Sequence, residues 1–339
     1  MNLQELRDAA RQKLGGACRV CPVCNGVACA GKVPGVGGTA TGRAFQANVA
    51  ALADLKFNLR TIHAAKTPAT GTRLFGRDLA MPIVAAPLTG AAINMGGAIT
   101  EQQFIQAIVN GSRQAGTLGM TGDTADPACF DAGIEAIEQA DGAGIAFIKP
   151  RCSQAEILRR MRRAEEAGAL AVGVDVDGAG LVTMALHGQP VGPKTKAELK
   201  ELVTSTKLPF IIKGIMTLDE AEMALETGAA AIVVSNHGGR VLDDVPGAAE
   251  VLAEIAESVR GNMTILADGG VRTGMDVLKY LALGADAVLT GRPLMHGAFG
   301  NGAAGVQLIL ERMAAELQQA MVLTGCASVR EIDDRIIYW

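Results

Sequence analysis

Aromatic residues are scarce in this chain: one Trp, two Tyr and eight Phe among 339 residues, 3% of the whole. A large core must therefore be built from Ala, Val, Ile, Leu and Met, and the 49% hydrophobic content is enough for one. Neither sign of charge dominates. The net charge of −4 gives no electrostatic reason to expect nucleic acid or an anionic membrane surface as a partner. No run of about 18 apolar residues is present, so no membrane-spanning helix is expected. The opening MNLQELRDAARQKL has a charged amphipathic helix pattern and not that of a signal peptide. The protein is accordingly expected to be cytoplasmic, with its seven cysteines reduced. A GxGxxG after an early strand is also missing, which argues against a Rossmann-like sheet.

What is present from about residue 81 onward is a single rhythm. Short β-branched runs end in glycine or a polar turn, and an amphipathic stretch follows each. The strand candidates are 81–87, 117–122, 144–150, 170–177, 209–216, 231–238, 263–270 and 286–293. Continuous apolar runs without alternation suit parallel strands buried on both faces. Helix patterns at 155–168 and 218–228 lie between them, the second with Thr217 as its cap, acids in its first turn and Gly228 as its stop. Eight strand–helix units in succession predict an α/β fold, a (β/α)8 TIM barrel. Residues 1–70 form an N-terminal extension with a Cys-rich segment and a helix pattern at 43–55. Residues 71–339 form the barrel, and the whole is read as one domain. TRLFGRDLA (72–80) reads as a hairpin turning at Gly76, under the barrel bottom.

A barrel carries its chemistry at the carboxyl ends of its strands. Strand seven ends in ADGGVRTG (267–274) and strand eight in TGRP (290–293). Glycines there let backbone N–H groups approach an anion, and Arg272 or Arg292 can neutralise it. Tight turns with solvated arginines are the bland alternative. Two such turns at both loops where this fold binds phosphate favour a phosphate site. Strand six ends in SNHGGR (235–240), which puts the imidazole of His237 and the guanidinium of Arg240 in the barrel mouth, as a base and a carboxylate grip. His63, His187 and His296 lack such neighbours and read as structural or exposed. Lys213, in IIKGI, is costly to bury unless it faces an anion; a lysine snorkelling at the rim is the alternative.

Together KGI, SNHGGR, ADGGVRTG and GRP resemble the FMN-dependent 2-hydroxy-acid oxidase and dehydrogenase family, which includes glycolate and lactate oxidases. The resemblance runs from about residue 40 to 330 and is densest over 209–330. It implies a flavoprotein that passes a hydride from the α-carbon of a small 2-hydroxy acid to flavin N5, with electrons going on to dioxygen or another acceptor. His237 resembles the family's base, Arg240 its carboxylate clamp, and Lys213 the lysine beside the flavin's pyrimidine edge. Asp268, Gly269, Gly270, Arg272, Gly291 and Arg292 match the ribityl and phosphate positions. Pro87, Leu88, Thr89, Thr121, Ser235, His237 and Gly239 fall where the family meets the isoalloxazine ring. The resemblance also suggests a homo-oligomer, a tetramer in many members.

The chain departs from the family's pattern on the substrate side. Lys149 stands near the place of the family's strand-three tyrosine. The second carboxylate-binding arginine after strand four is missing, where DVDGAGLV (175–182) offers Asp175 and Asp177, facing either the pocket or the helices. The N-terminal tyrosine is replaced by GKVPGVGG, and the loop 178–196 is too short for a full lid. An FMN-dependent isomerase of the type 2 isopentenyl diphosphate isomerase kind is the alternative function; it has no need of the His237–Arg240 pair. Finally, Cys18, Cys21, Cys24 and Cys29 sit within twelve residues. They fit an iron–sulfur cluster, a zinc site, or free or redox-active thiols.

Overall fold

The structure, a computed structural model, describes residues 1–338. Eight parallel strands close into a barrel: β1 (Ile83–Leu88), β2 (Gly119–Thr121), β3 (Gly144–Ile148), β4 (Ala171–Asp175), β5 (Phe210–Ile215), β6 (Ala231–Val234), β7 (Thr264–Ala267) and β8 (Ala287–Thr290). Neighbours in sequence pair in space, and β8 returns to β1 through Val288–Ile83, Leu289–Val84 and Thr290–Ala85. The expected (β/α)8 barrel is thus present, with every predicted strand within a few residues of its place. The reason is physical. Residues of β2, β3, β4, β6 and β8 are buried without exception, so hydrophobic runs there are continuous and easily read.

The helices between strands start on side-chain caps. Thr100, Asp126, Ser153, Thr195 and Thr273 each accept a backbone N–H of the first turn. Helix Leu218–Thr227 begins at Thr217 and stops at Gly228 as expected, but the Thr217 hydroxyl makes no capping bond. The hairpin Thr72–Leu74 and Arg77–Leu79 turns at Gly76, and Ala80 N–H donates to the Gly116 carbonyl at 2.9 Å, just ahead of β2. That contact sets the hairpin at the amino-terminal end of the barrel.

Residues before the hairpin wrap the outside of the barrel and reach its mouth. Helix Leu3–Lys13 packs on the long helix Arg292–Thr324, which is broken at Asn301–Gly302. Helix Arg43–Asp54 lies over the exits of β6 and β7, where buried Asn48 donates to Asn236 Oδ1 at 2.7 Å and accepts from Ala248 N at 3.0 Å. Its N-cap, Gly42, has no side chain to offer. Asp243 supplies the missing acceptor from the β6 loop, taking Ala44 N–H at 2.9 Å and both donors of Thr41 at 2.7 Å. The pair Lys56–Phe57 and Ile337–Tyr338 forms a short antiparallel ribbon. Among the described residues no helix is long and apolar enough to cross a membrane.

Candidate active site

At the carboxyl ends of the strands lies one cavity of about 1110 Å³, counted out to its open mouth. β1 contributes Ala86, Pro87, Leu88 and, just beyond it, Thr89; β7 and β8 contribute Asp268–Arg272, Gly291 and Arg292. His237 and Arg240 come from the loop after β6, Lys213 from β5 and Lys149 from the end of β3. Gly35 and Val36 of the N-terminal segment add to the wall, as do Asn94 and Met95 after β1 and Asp123 and Thr124 after β2. Leu181, Thr183 and Met184 close the side above β4. This last stretch was expected to be too short for a full lid. It folds as a 3-10 turn and a short helix whose Leu181 and Met184 pack with Ala125 in a small hydrophobic cluster of their own. A reduced cap is the result.

His237 is held in the left-handed region, φ +58°, followed by Gly238 at +64° and Gly239 at +77°. A non-glycine residue there costs about 1 kcal/mol, and the Ser235 hydroxyl offsets it by accepting the His237 N–H at 3.0 Å. The turn throws the imidazole back over β4. Nδ1 lies 2.9 Å from Asp177 Oδ1, and Nε2 lies 3.9 Å from Asp175 Oδ2. Both aspartates therefore face the site and not the outer helices. Burial pushes the Asp177 carboxyl up, but His237 and Lys213 outweigh it and hold it below its usual range. The hydrogen-bond network assigns the Nδ1 proton to the Asp177 contact, which leaves Nε2 as the free nitrogen of the neutral ring.

Lys213 reaches the same place because β5 is irregular. Its pairing with β6 shifts between Lys213 and Ile215, and Gly214 between them has φ +102°. A Cβ on Gly214 would stand 2.5 Å from the Asp177 side chain, so only glycine lets that carboxylate settle beside Lys213. The ammonium donates to Ser235 Oγ at 2.7 Å and lies 3.3 Å from Asp268 Oδ2. Burial pulls its pKa down; Asp268, Asp177 and Asp175 more than reverse that and keep it charged.

Three arginines face the cavity with no carboxylate within ion-pair distance among the described residues. Arg240 donates to the carbonyls of Gly35 and Gly37 and to Asn94 Oδ1. Arg292 donates to the carbonyls of Val36, Gly37 and Gly238. Arg272 donates to the Val271 carbonyl and to Cys24 Sγ, and its buried Nε has no partner. Phe45, one of the few aromatics, lies under two of them, with its ring centre 3.8 Å from the Arg292 guanidinium and 5.6 Å from that of Arg272. Burial, and then repulsion from Arg272 and Arg240, pull Arg292 down to about 9; burial pulls Arg240 to about 10. Both stay cationic at neutral pH. Half-buried cations without counter-charges are costly, so this arrangement asks for anions in the cavity.

The opposite wall is self-neutralised. Lys149 Nζ sits 2.5 Å from Asp175 Oδ2, both nearly buried. Beneath them Arg151 forks onto Asp123 at 3.0 and 3.1 Å, Arg160 adds a contact at 3.3 Å, and the Lys149 N–H donates to the same carboxylate at 3.1 Å.

Of the residues singled out in the sequence, three stand elsewhere than expected. Thr121 is buried with its side chain against Gly133 of helix Pro127–Gln139, on the outer face of β2 and away from the cavity lining. Ser235 is fully buried behind the wall, spending its hydroxyl on Lys213 and on the His237 N–H. Gly239 packs on helix Arg43–Asp54; a Cβ there would fall 2.3 Å from Phe45 N. The four clustered cysteines lie outside the cavity lining. They also do not converge on a single point, because the one group of three metal-capable side chains within 4.8 Å among the described residues is Asp175, Asp177 and His237. Asp123, Arg151 and Phe45 were not anticipated. The GDT that follows β2 was a legible signal for Asp123, whereas nothing local marked Phe45 as an arginine platform.

The chain matches the sequence profile of the family described as FMN-dependent dehydrogenase over residues 36–185 and 182–339. It is 49% identical over 141 residues to a 2-hydroxyacid oxidase of Dictyostelium discoideum, covering 42% of this chain and 36% of that one. It is 43% identical over 150 residues to an L-lactate oxidase of Roseobacter sp. (strain GAI101), covering 44% and 40%. With glycolate oxidase 3 of Oryza sativa subsp. indica it shares 45% over 135 residues, covering 40% and 37%. These matches thus span about two fifths of the relatives' own lengths. In three dimensions it superposes on a crystal structure of mandelate oxidase with benzoyl-formic acid, with a TM-score of 0.80 and 30% identity over 99% of this chain and 97% of the other.

Proposed function

Because the chain belongs to the family of FMN-dependent dehydrogenases, we propose that it is a flavoprotein oxidoreductase that converts a small 2-hydroxy acid to the 2-oxo acid with His237 as base. The observation that carries this is the set of three cavity arginines without counter-ions, beside an imidazole whose free nitrogen faces the same space. FMN and a carboxylate substrate together bring two anions, which suits three uncompensated guanidiniums.

The residues present fit FMN. Arg272, with its orphaned Nε, and Arg292, at the start of a helix, hold the phosphate with Gly270 and Gly291. Asp268, whose Oδ1 is buried without a partner, and Gly269 take the ribityl hydroxyls. Pro87, Leu88 and Thr89 form the β1 wall for a planar ring, and Lys213 supplies positive charge to its polar edge. When bound, FMN provides the two-electron sink for the hydride equivalent leaving the substrate. Arg240 grips the substrate carboxylate by its fork. His237 takes the hydroxyl proton at Nε2, and the imidazolium so formed is stabilised by Asp177 at Nδ1 and by Asp175 on its other side. Met184 and Leu181 exclude water from above.

Lys149 gives the site a further cation near the substrate, already paired with Asp175. The His237–Arg240 pair supports oxidation over an isomerase reaction on a diphosphate. We read the molecule as one domain, a barrel of residues 71–339 with the extension 1–70 clasped to it. We further place it in the cytoplasm as a homo-oligomer, the second following the resemblance to the 2-hydroxy-acid oxidase family. The test is anaerobic mixing of the purified protein with a panel of 2-hydroxy acids. Loss of the flavin's visible absorbance, restored by dioxygen or another acceptor, is the expected result. A colourless protein that takes up no FMN on titration would end the proposal.

A further inference from the structure

We propose that Cys18, Cys21, Cys24 and Cys29 are the ligands of an iron–sulfur cluster of the four-iron cubane class. This site lies beside the cavity and stands or falls independently of the flavin reading.

The spacing C-x2-C-x2-C-x4-C puts four thiols within one short loop, so a cluster closes no long stretch of chain. Between helices Leu3–Lys13 and Arg43–Asp54 the stretch 14–42 contains one short 3-10 turn, Val27–Cys29, and no other helix or strand. Structureless loops beyond about 12–15 residues are uncommon in compact domains unless they serve a site. This one is nonetheless wound tightly, through left-handed residues that include the β-branched Val20 at φ +46°. All seven cysteines are unpaired, and these four are all half-buried.

The four thiols share one loop, and two of them already accept hydrogen bonds, Cys18 Sγ from the Val20 N–H and Cys24 Sγ from Arg272, each at 3.4 Å. They are not gathered tightly enough for one ion. A tetrahedral zinc with bonds of about 2.3 Å would bring its sulfurs to within about 3.8 Å of one another, and no three of these thiols lie within 4.8 Å. A cubane spaces its thiolates more widely because each binds a different iron.

The surroundings suit a centre of net negative charge. Arg7 donates to the Cys21 carbonyl at 2.6 Å, Arg11 to the carbonyls of Arg19 and Val20 at 3.1 Å, and Arg272 to Cys24 Sγ at 3.4 Å. His296 Nε2 lies 3.4 Å from Cys18 Sγ. Hydrogen bonds to cluster sulfurs and nearby cations are what tune such centres. Arg272 touches the loop with one nitrogen and lines the cavity, so the cluster would place a second redox centre against the wall of the first.

The experiment is to purify the full chain anaerobically, reconstitute it with ferric iron, a thiol reductant and sulfide, and measure iron, acid-labile sulfide, zinc and the EPR spectrum before and after dithionite. The expected result is about four irons and about four sulfides per chain, with an EPR signal that depends on reduction. Cys24→Ala and the change of all four to alanine should each lower bound iron by about fivefold or more. Cys152→Ala, at an exposed thiol outside the loop, should leave iron unchanged. The proposal is overturned by iron below about a tenth of an equivalent after reconstitution, by zinc without labile sulfide, or by undiminished iron in the fourfold variant. Should that variant precipitate, the iron-to-sulfide ratio and EPR spectrum of the unaltered chain decide the matter alone.

Discussion

On the β5–β8 side of the mouth, Arg240, Arg272 and Arg292 donate only to neutral carbonyls, an amide and a thiol. On the β2–β4 side, Lys149, Arg151 and Arg160 are matched by three carboxylates, Asp175, Asp123 and Glu156. Both walls are rich in cations, yet only one carries charge left over. The difference separates two uses of a buried charge. A matched pair stiffens the wall and costs little to leave alone. An unmatched cation is tolerated because a ligand completes it.

The comparison can be broken experimentally, beginning with the largest effect. His237→Ala should keep FMN bound and slow its reduction by substrate about 10²–10⁴-fold, measured by stopped-flow under anaerobic conditions. An unchanged rate would remove the base from this histidine. Lys149→Met should leave Asp175 buried without its partner and lower unfolding stability by about 3 kcal/mol in denaturant titrations. Lys149→Met combined with Asp175→Asn should recover much of that loss. Arg240→Lys should raise KM for a 2-hydroxy acid about tenfold, the equivalent of one charge-assisted hydrogen bond, with less effect on kcat. An ammonium keeps the charge but cannot reproduce the fork.

The smallest effect lies outside both walls. Burial would raise the Asp243 carboxyl, but the bonds from Thr41 and Ala44 hold it at about 2. A lowered carboxyl contributes stability that is fully present above its unfolded value, about 3.9, and is lost as pH falls toward 2. Asp243→Asn should therefore remove part of the acid sensitivity between those limits. At neutral pH it should cost about 1 kcal/mol, as for loss of a helix cap, seen as a modest drop in Tm.

The barrel was legible because its strands are buried on both faces, so their apolar runs and the glycines that end them recur without interruption. His237, Arg240 and Lys213 were legible for a related reason: a charged or ionisable group at the carboxyl end of a buried run is costly to bury alone and finds its partners at the mouth, whereas a hydroxyl is satisfied behind the wall. The residues that stand outside the cavity lining share a cause as well. Thr121 stands at a strand end like the others, but its side chain takes the outward phase of the strand, which a three-residue strand does not reveal. Ser235 and Gly239 lie within the most telling motif, yet one buttresses Lys213 and the other admits a helix. Only the path of residues 36–48 across the mouth decides that. Asp175 and Asp177 could not be assigned a direction from spacing alone, because the turn after β4 breaks the alternation.

The ribbon that joins Lys56–Phe57 to Ile337–Tyr338 has a kinetic consequence. Asn58 also donates to the Ile337 carbonyl at 2.8 Å across 279 residues of chain, so this contact is among the last to become possible during synthesis. β1 waits in the same way for β8. Until residues 287–290 emerge, one edge of β1 has no partner, and such an edge is a template for wrong pairing. Folding should accordingly be slow, dominated by contacts distant in sequence, and most prone to aggregation while the nascent chain lacks its last strand.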